Sequence, residues 1–102
     1  MSKLKKHNVF NKVYIIVKQI PLGKVTTYGD IGRRLKISPR TVGWALHANK
    51  DKKVPCHRVV NRNGRLADNF AFDGWKEQKR RLEVEGINFI DETHVDLGKH
   101  VV

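Results

Sequence analysis

The stretch TTYGDIGRRLKISPRTVGWALHA, residues 26–48, decides the fold. Tyr28, Ile31 and Leu35 recur at helical spacing after Thr26 and Thr27, which predicts a helix ending at about Leu35. Ser38 carries the side chain of an N-cap. Pro39 stands at the first helical position, where its missing N–H costs nothing. Val42, Ala45 and Leu46 then give a further helix an apolar face as far as about Ala48. Two helices joined by Lys36, Ile37 and Ser38 make a helix-turn-helix candidate. The same spacing also suits helical hairpins that never meet nucleic acid, so the pattern alone leaves both open.

Upstream, Val9, Val13, Ile16, Val17 and Ile20 share a helical face, predicting an amphipathic helix over residues 8–19. Pro21, Leu22, Gly23 and Lys24 end it, since proline forbids continuation and glycine permits a turn. Downstream, a polar loop at residues 50–53 leads into an apolar run at 54–60 that Cys56, His57 and Arg58 interrupt. Residues 61–64 are a turn signal. A last helix is expected over 73–83, with Trp75, Lys79 and Leu82 aligned and Gly86 as terminator. Residues 87–90 and 94–97 alternate enough to suggest a small terminal β-hairpin. The expected fold is therefore mainly α, a small winged helix-turn-helix-like DNA-binding domain with a short terminal hairpin, as one domain over 1–102.

Composition narrows the class. The 102 residues carry 21 Lys+Arg against 10 Asp+Glu, a formal charge of +11. At 39% hydrophobic the chain can build a core. No apolar run approaches the roughly 18–20 residues of a membrane span, so no membrane partner is expected. Lys3, Lys5 and Lys6 precede an apolar run confined to residues 13–17, below the roughly 7–15 residues of a signal-peptide core. A cytoplasmic, nucleoid-associated location follows as an expectation. A single cysteine, Cys56, excludes an internal disulfide and any Cys-pair zinc site. His7, His47, His94 and His100 show no metal-ligand spacing, so neither metal nor cofactor is expected. The positive charge suits a polyanion, above all nucleic acid, although lysine kept for solubility gives the same arithmetic.

One short segment carries chemistry: Pro55, Cys56, His57, Arg58, Val59. A lone cysteine is most often a small buried hydrophobe. This one sits beside a histidine and an arginine, after a proline that fixes the backbone. A free thiol is mostly protonated at neutral pH, so a nucleophile needs a base or a positive field. His57 can take the proton and a carboxylate can hold the imidazole. In extended chain, neighbouring side chains point to opposite faces. A Cys56–His57 bond therefore requires a turn or a bridging water.

Residues 20–29, Arg40 to Gly43, Asn49, residues 55–60 and residues 82–86 together resemble the O6-alkylguanine-DNA alkyltransferase (methylated-DNA–protein-cysteine methyltransferase) family. The ordered match covers roughly residues 8–90 and resembles that family's C-terminal, DNA-binding and active-site domain. The resemblance implies single-turnover repair. Cys56 would attack the alkyl carbon on O6 of guanine and keep the alkyl group, with His57 as base through a water and Glu85 orienting it. Asn49 would shape the hinge before the active-site segment. Tyr28 would hydrogen-bond N3 of the leaving guanine or protonate it. The backbone at Cys56 and Val59 would read the base edge. Arg40 would fill the gap left in the stack by the extruded nucleotide. Thr27, Thr41, Gly43 and Ala45 would accompany it along the DNA, the small residues admitting a minor groove.

The implied partner is double-stranded DNA carrying O6-alkylguanine, met by a monomer. Residues 67–74 do not reproduce the family's glycine-rich loop, and Trp44 stands where a small residue is usual. The short chain and residues 77–82 also look like the alkyltransferase-like proteins. Those bind the lesion without repairing it and pass it to an excision-repair partner, typically with the cysteine replaced. Repair by Cys56 is the favoured reading, and the non-catalytic lesion sensor stays open as the alternative.

Overall fold

The computed structural model describes residues 2–68, 70 and 72–102, with the side chains of residues 2–8 outside the description. The expectations for His7 and for the lysines at 3, 5 and 6 lie there. In chain order the elements are α1 (Ser2–Lys18), β1 (Thr26–Thr27), α2 (Tyr28–Leu35), α3 (Pro39–Ala48), a 3-10 turn (Cys56–Arg58), β2 (Val59–Val60), α4 (Gly74–Val84) and α5 (Leu97–His100). The architecture is mainly helical, as the residue pattern predicts; the one small sheet among the described residues, β1 with β2, is not the expected terminal hairpin. The first helix starts earlier than its apolar spacing indicates, at Ser2 rather than near residue 8.

The α2–α3 unit is specified residue by residue. Thr27 caps α2, its Oγ1 accepting the Asp30 N–H at 3.1 Å. Ser38 caps α3 in the same way, accepting the Thr41 N–H at 3.1 Å, with Pro39 following it. Between the helices Lys36 turns left-handed at φ 59° and returns its N–H to α2 carbonyls. The turn is so tight that a Cβ added at Gly32 would sit 2.7 Å from the Ile37 carbonyl oxygen. The buried faces of α2 and α3, through Ile31, Val42, Ala45 and Leu46, close on Val13 and Val17 of α1.

β1 and β2 pair in parallel, Thr26 beside Val59 and Thr27 beside Val60. No periodicity reveals two-residue strands. Their pairing nonetheless ties the start of α2 to the Cys56 segment. The expected terminal hairpin is present in reduced form, as a turn closed by an antiparallel bridge between Phe89 and Val95 and by the Ile90 N–H to His94 carbonyl bond at 2.9 Å. Leu97, expected in its second strand, opens α5 instead. A second apolar cluster of Val25, Val60, Leu66, Leu82, Ile87 and Val95 lies under it.

Gln78 of α4 is fully buried and stitches these parts together. Its Oε1 accepts the Ala67 N–H at 2.9 Å, and its Nε2 donates to the carbonyls of Val59 at 3.1 Å and His57 at 3.3 Å. A buried amide left without partners costs more than its bonds return, so all its polar capacity is used.

The Gly32 contact makes a stability prediction. Gly32→Ala should cost roughly 1–3 kcal/mol by forcing α2 and α3 apart. Urea unfolding reads it as a lower midpoint at unchanged slope. An unchanged midpoint contradicts the close packing of the turn.

Candidate active site

A cavity of about 480 Å3 opens between α3 and the segment that follows β2. Tyr28, Arg40, Gly43, Trp44, Cys56 and Phe70 are among its lining residues. Its size falls in the range of small-molecule sites, sufficient for one nucleobase.

Cys56 is placed by local backbone chemistry. Pro55, at φ −78° and ψ 67°, sits at the centre of an inverse γ-turn, with the Cys56 N–H bonded to the Val54 carbonyl at 2.8 Å. Proline fixes the φ this turn needs. The chain then winds into the 3-10 turn, so the alternation of extended backbone does not govern Cys56 and His57. Their side chains diverge. Cys56 lines the cavity, while His57 Nε2 meets Glu85 Oε2 at 2.8 Å. Among the described residues no hydrogen bond joins the thiol to the imidazole directly.

Asn49, 5% exposed, holds the sulfur. Its Oδ1 accepts the Asp51 N–H at 3.1 Å, which fixes which way the amide points. Its Nδ2 therefore faces out as donor, to the Asp51 carbonyl at 2.9 Å and to Cys56 Sγ at 3.3 Å. Burial pushes the thiol up to about 11; the Asn49 hydrogen bond and the Arg81 charge pull it back only in part, and Asp51 works against them. Tyr28 is likewise pushed up to about 12 by burial and by the neighbouring Cys56, so its phenol stays a donor at neutral pH.

Glu85 is the hub behind the cysteine. Arg58 donates to it twice, Nε to Oε1 and Nη2 to Oε2, both at 2.9 Å. Burial opposes its ionisation, but the bonds from Arg58 and His57 outweigh burial and hold its carboxyl below the usual range. A carboxylate only accepts, so His57 Nε2 carries the proton and Nδ1 is the basic nitrogen. Burial, the largest influence, lowers His57 despite Glu85, leaving a neutral imidazole.

Arg40 is exposed at the cavity mouth, and Gly43 leaves open space where a Cβ would project. Thr27 and Thr41 are engaged in the two helix caps. One expectation is corrected. Ala45 is 0% exposed, on the core side of α3, so its side chain is not at a DNA-facing surface. Val59 is buried away from the cavity: its N–H is given to the Cys56 carbonyl and its carbonyl accepts from Gln78.

Three contributors escaped the sequence reading. Phe70 forms a wall of the cavity and Phe72 packs beside it, ring centroids 5.7 Å apart. The Arg81 guanidinium lies over both rings, at 5.5 and 5.2 Å, and its Nε is held by Glu77 Oε2 at 2.8 Å. An aromatic wall pinned by a cation thus stands where a glycine-rich loop was sought; Asn69 and Ala71 of that stretch lie outside the described residues. The third is Gln78. A glutamine on the same α4 face as Leu82 is the one signal that could have flagged it.

A capped helix-turn-helix whose second helix borders a cleft with a buried cysteine is the architecture of a small DNA-binding domain. Residues 8–87 match the family model described as 6-O-methylguanine DNA methyltransferase, DNA binding domain. The chain belongs to this family of DNA-repair alkyltransferases. It is 42% identical over 81 residues to alkyltransferase-like protein 1 of Schizosaccharomyces pombe, covering 76% of this chain and 75% of that one. It is 42% identical over 89 residues to a methylated-DNA–protein-cysteine methyltransferase of Methanocaldococcus jannaschii, covering 86% of this chain and 52% of that one. Among solved structures, S. pombe Atl1 in complex with damaged DNA containing O6-carboxymethylguanine superimposes with a TM-score of 0.83 at 34% identity, over 94% of this chain and 95% of that one. The chain thus spans about half the length of the methyltransferase relative but most of the alkyltransferase-like one.

The buried thiol carries a pH prediction. Alkylation of Cys56 by iodoacetamide should rise about tenfold per pH unit, without levelling, up to about pH 10. Asn49→Ala should slow it throughout, since the bond that favours the thiolate is gone. A plateau near the ordinary thiol value contradicts the burial argument.

Proposed function

We propose that this domain repairs O6-alkylguanine in double-stranded DNA by irreversible transfer of the alkyl group to Cys56, reached from the minor-groove side by extruding the nucleotide. The single observation that carries this is the placement of the Cys56 sulfur on the cavity, held by Asn49, with the Glu85–His57 pair behind it. A residue kept only for packing needs neither the amide donor nor the base.

The step balances simply. The S–C bond forms as the C–O6 bond breaks, and guanine leaves with the electron pair. The thiol proton passes to His57 Nδ1 through a water. Tyr28, a donor at neutral pH, hydrogen-bonds N3 of the departing base and disperses its charge. Asn49 is the positioning residue for the sulfur. The extruded base enters the cavity against Phe70. Arg40 occupies the vacated stack, and Gly43 leaves the backbone open to the groove.

The test mixes the protein with a duplex containing O6-methylguanine and weighs the intact chain. One methyl group should be gained, on Cys56, and lost in Cys56→Ser. One observation favours a second reading, in which the domain only marks the lesion for excision repair: the structural likeness covers nearly all of Atl1. Unchanged mass together with lesion-selective binding decides for that sensor. Equal affinity for damaged and undamaged duplex removes both.

Arg40 offers a separate check. Six of the chain's eight arginines are ion-paired to carboxylates, whereas Arg40 has no such partner among the described residues. Arg40→Ala should lower affinity for lesion duplex about tenfold and for undamaged duplex only about twofold, the latter loss being that of one phosphate contact. Equal losses, measured by anisotropy at one fixed salt concentration, count against the finger role.

A further inference from the structure

Trp44 is the unexplained residue of the site. It is 58% exposed, although a tryptophan offers more apolar surface to bury than any other side chain. Among the described residues its ring is stacked on no other aromatic and covered by no cation, whereas Trp75 packs against the second core cluster. Its position is specific. Arg40, Gly43, Trp44 and His47 follow i, i+3, i+4, i+7 spacing, which puts them on one face of α3, and all four line the cavity. The opposite face, through Val42, Ala45 and Leu46, is fixed in the core, so the helix cannot roll to bury the indole. Gly43 beside it leaves the backbone bare, so a ligand can approach α3 closely enough to lie against the ring.

Extruding a nucleotide exposes base faces that were stacked. A flat, rigid, apolar surface one helical turn from Arg40 is matched to such a face, and base–aromatic stacking is strong and tolerant of sequence. We propose that Trp44 is a second wedge residue, stacking on a base uncovered by the extrusion while Arg40 fills the gap. Arg40 supplies charge and hydrogen bonds; Trp44 supplies the apolar face that replaces lost stacking. The inference rests on the lesion-extruding function proposed above, in either its repair or its sensor form. It predicts that Trp44 acts on the extruded state rather than on the encounter with intact duplex.

The two tryptophans give a direct readout. In Trp75→Phe, Trp44 is the only indole, so its emission can be followed as O6-methylguanine duplex or matched undamaged duplex is added, using Cys56→Ser to prevent turnover. Lesion duplex should quench the emission strongly and undamaged duplex weakly. In the Cys56→Ser background, Trp44→Ala should weaken lesion binding about tenfold and leave undamaged binding within about twofold, and Trp44→Phe should restore most of the loss. Phenylalanine keeps a stacking face, so rescue separates stacking from mere packing; circular dichroism confirms that each variant is folded. Lesion-selective binding that is unaffected by Trp44→Ala, with unquenched emission, overturns the wedge and leaves the proposed function standing. No lesion preference in the protein that retains Trp44 overturns both, because no extruded state then exists.

Discussion

One carboxylate governs the geometry of the site. Glu85 sits at the C-terminal cap of α4 and receives His57 Nε2 and two donors of Arg58, while Arg58 Nη1 reaches the Ile20 carbonyl at 2.8 Å beyond the end of α1. Taking a carboxylate this far out of water costs several kcal/mol. Charge-assisted bonds return roughly 1.5–3 kcal/mol each, so one donor would not suffice and three do. The arrangement therefore exists only when α1, the 3-10 turn and α4 are all docked. The cysteine segment is held from behind by this cluster, from the side by the Thr26–Val59 pairing and from within by Gln78.

That rigidity bears on how the thiol would act in the proposed function. Burial raises the Cys56 thiol to about 11 and lowers the His57 imidazole, so both shifts oppose proton transfer between them in the free protein. In the free protein Cys56 is therefore predominantly a thiol at neutral pH. In the proposed reaction, ionisation is drawn along by alkyl transfer itself, as the departing guanine takes up charge beside the Tyr28 donor. A pre-formed thiolate would react with any electrophile; in the proposed reaction a buried thiol with a neutral base nearby would react only with a substrate that fits the cavity.

The helix-turn-helix was legible because its signals are local. Thr27, Ser38 and Pro39 are cap residues whose partners lie within three positions, and the boundaries of α2 and α3 fall where they indicate. The site was legible only in part. Asn49 meets Cys56 and His57 meets Glu85, while the side chains of Cys56 and His57 diverge, so the four residues form two pairs rather than one chain of bonds. Ala45 went astray because small size was weighed above its helical spacing with Val42 and Leu46, which puts it in the core. The parallel strands were invisible because two residues carry no period. Arg81 looked like part of a basic surface run, and only the fold carries it onto Phe70 and Phe72, residues ten or so positions away.

The net charge of +11 divides into two kinds of cation once these contacts are known. Asp30, Asp68, Glu77 and Glu85 between them engage six arginines, several at the surface where such pairs stabilise little. Their effect is to leave lysine as the diffuse charge. Ammonium groups on flexible stems suit sequence-independent attraction to phosphates. Planar guanidinium is mostly held back from that task; among the described residues the arginines outside these pairs are Arg62 and Arg40, the latter on the cavity mouth beside Trp44. In the proposed function, non-specific attraction and lesion discrimination then fall to different side-chain chemistries. Salt can weaken the first without dismantling the second, and selectivity for a damaged base does not have to be extracted from charge.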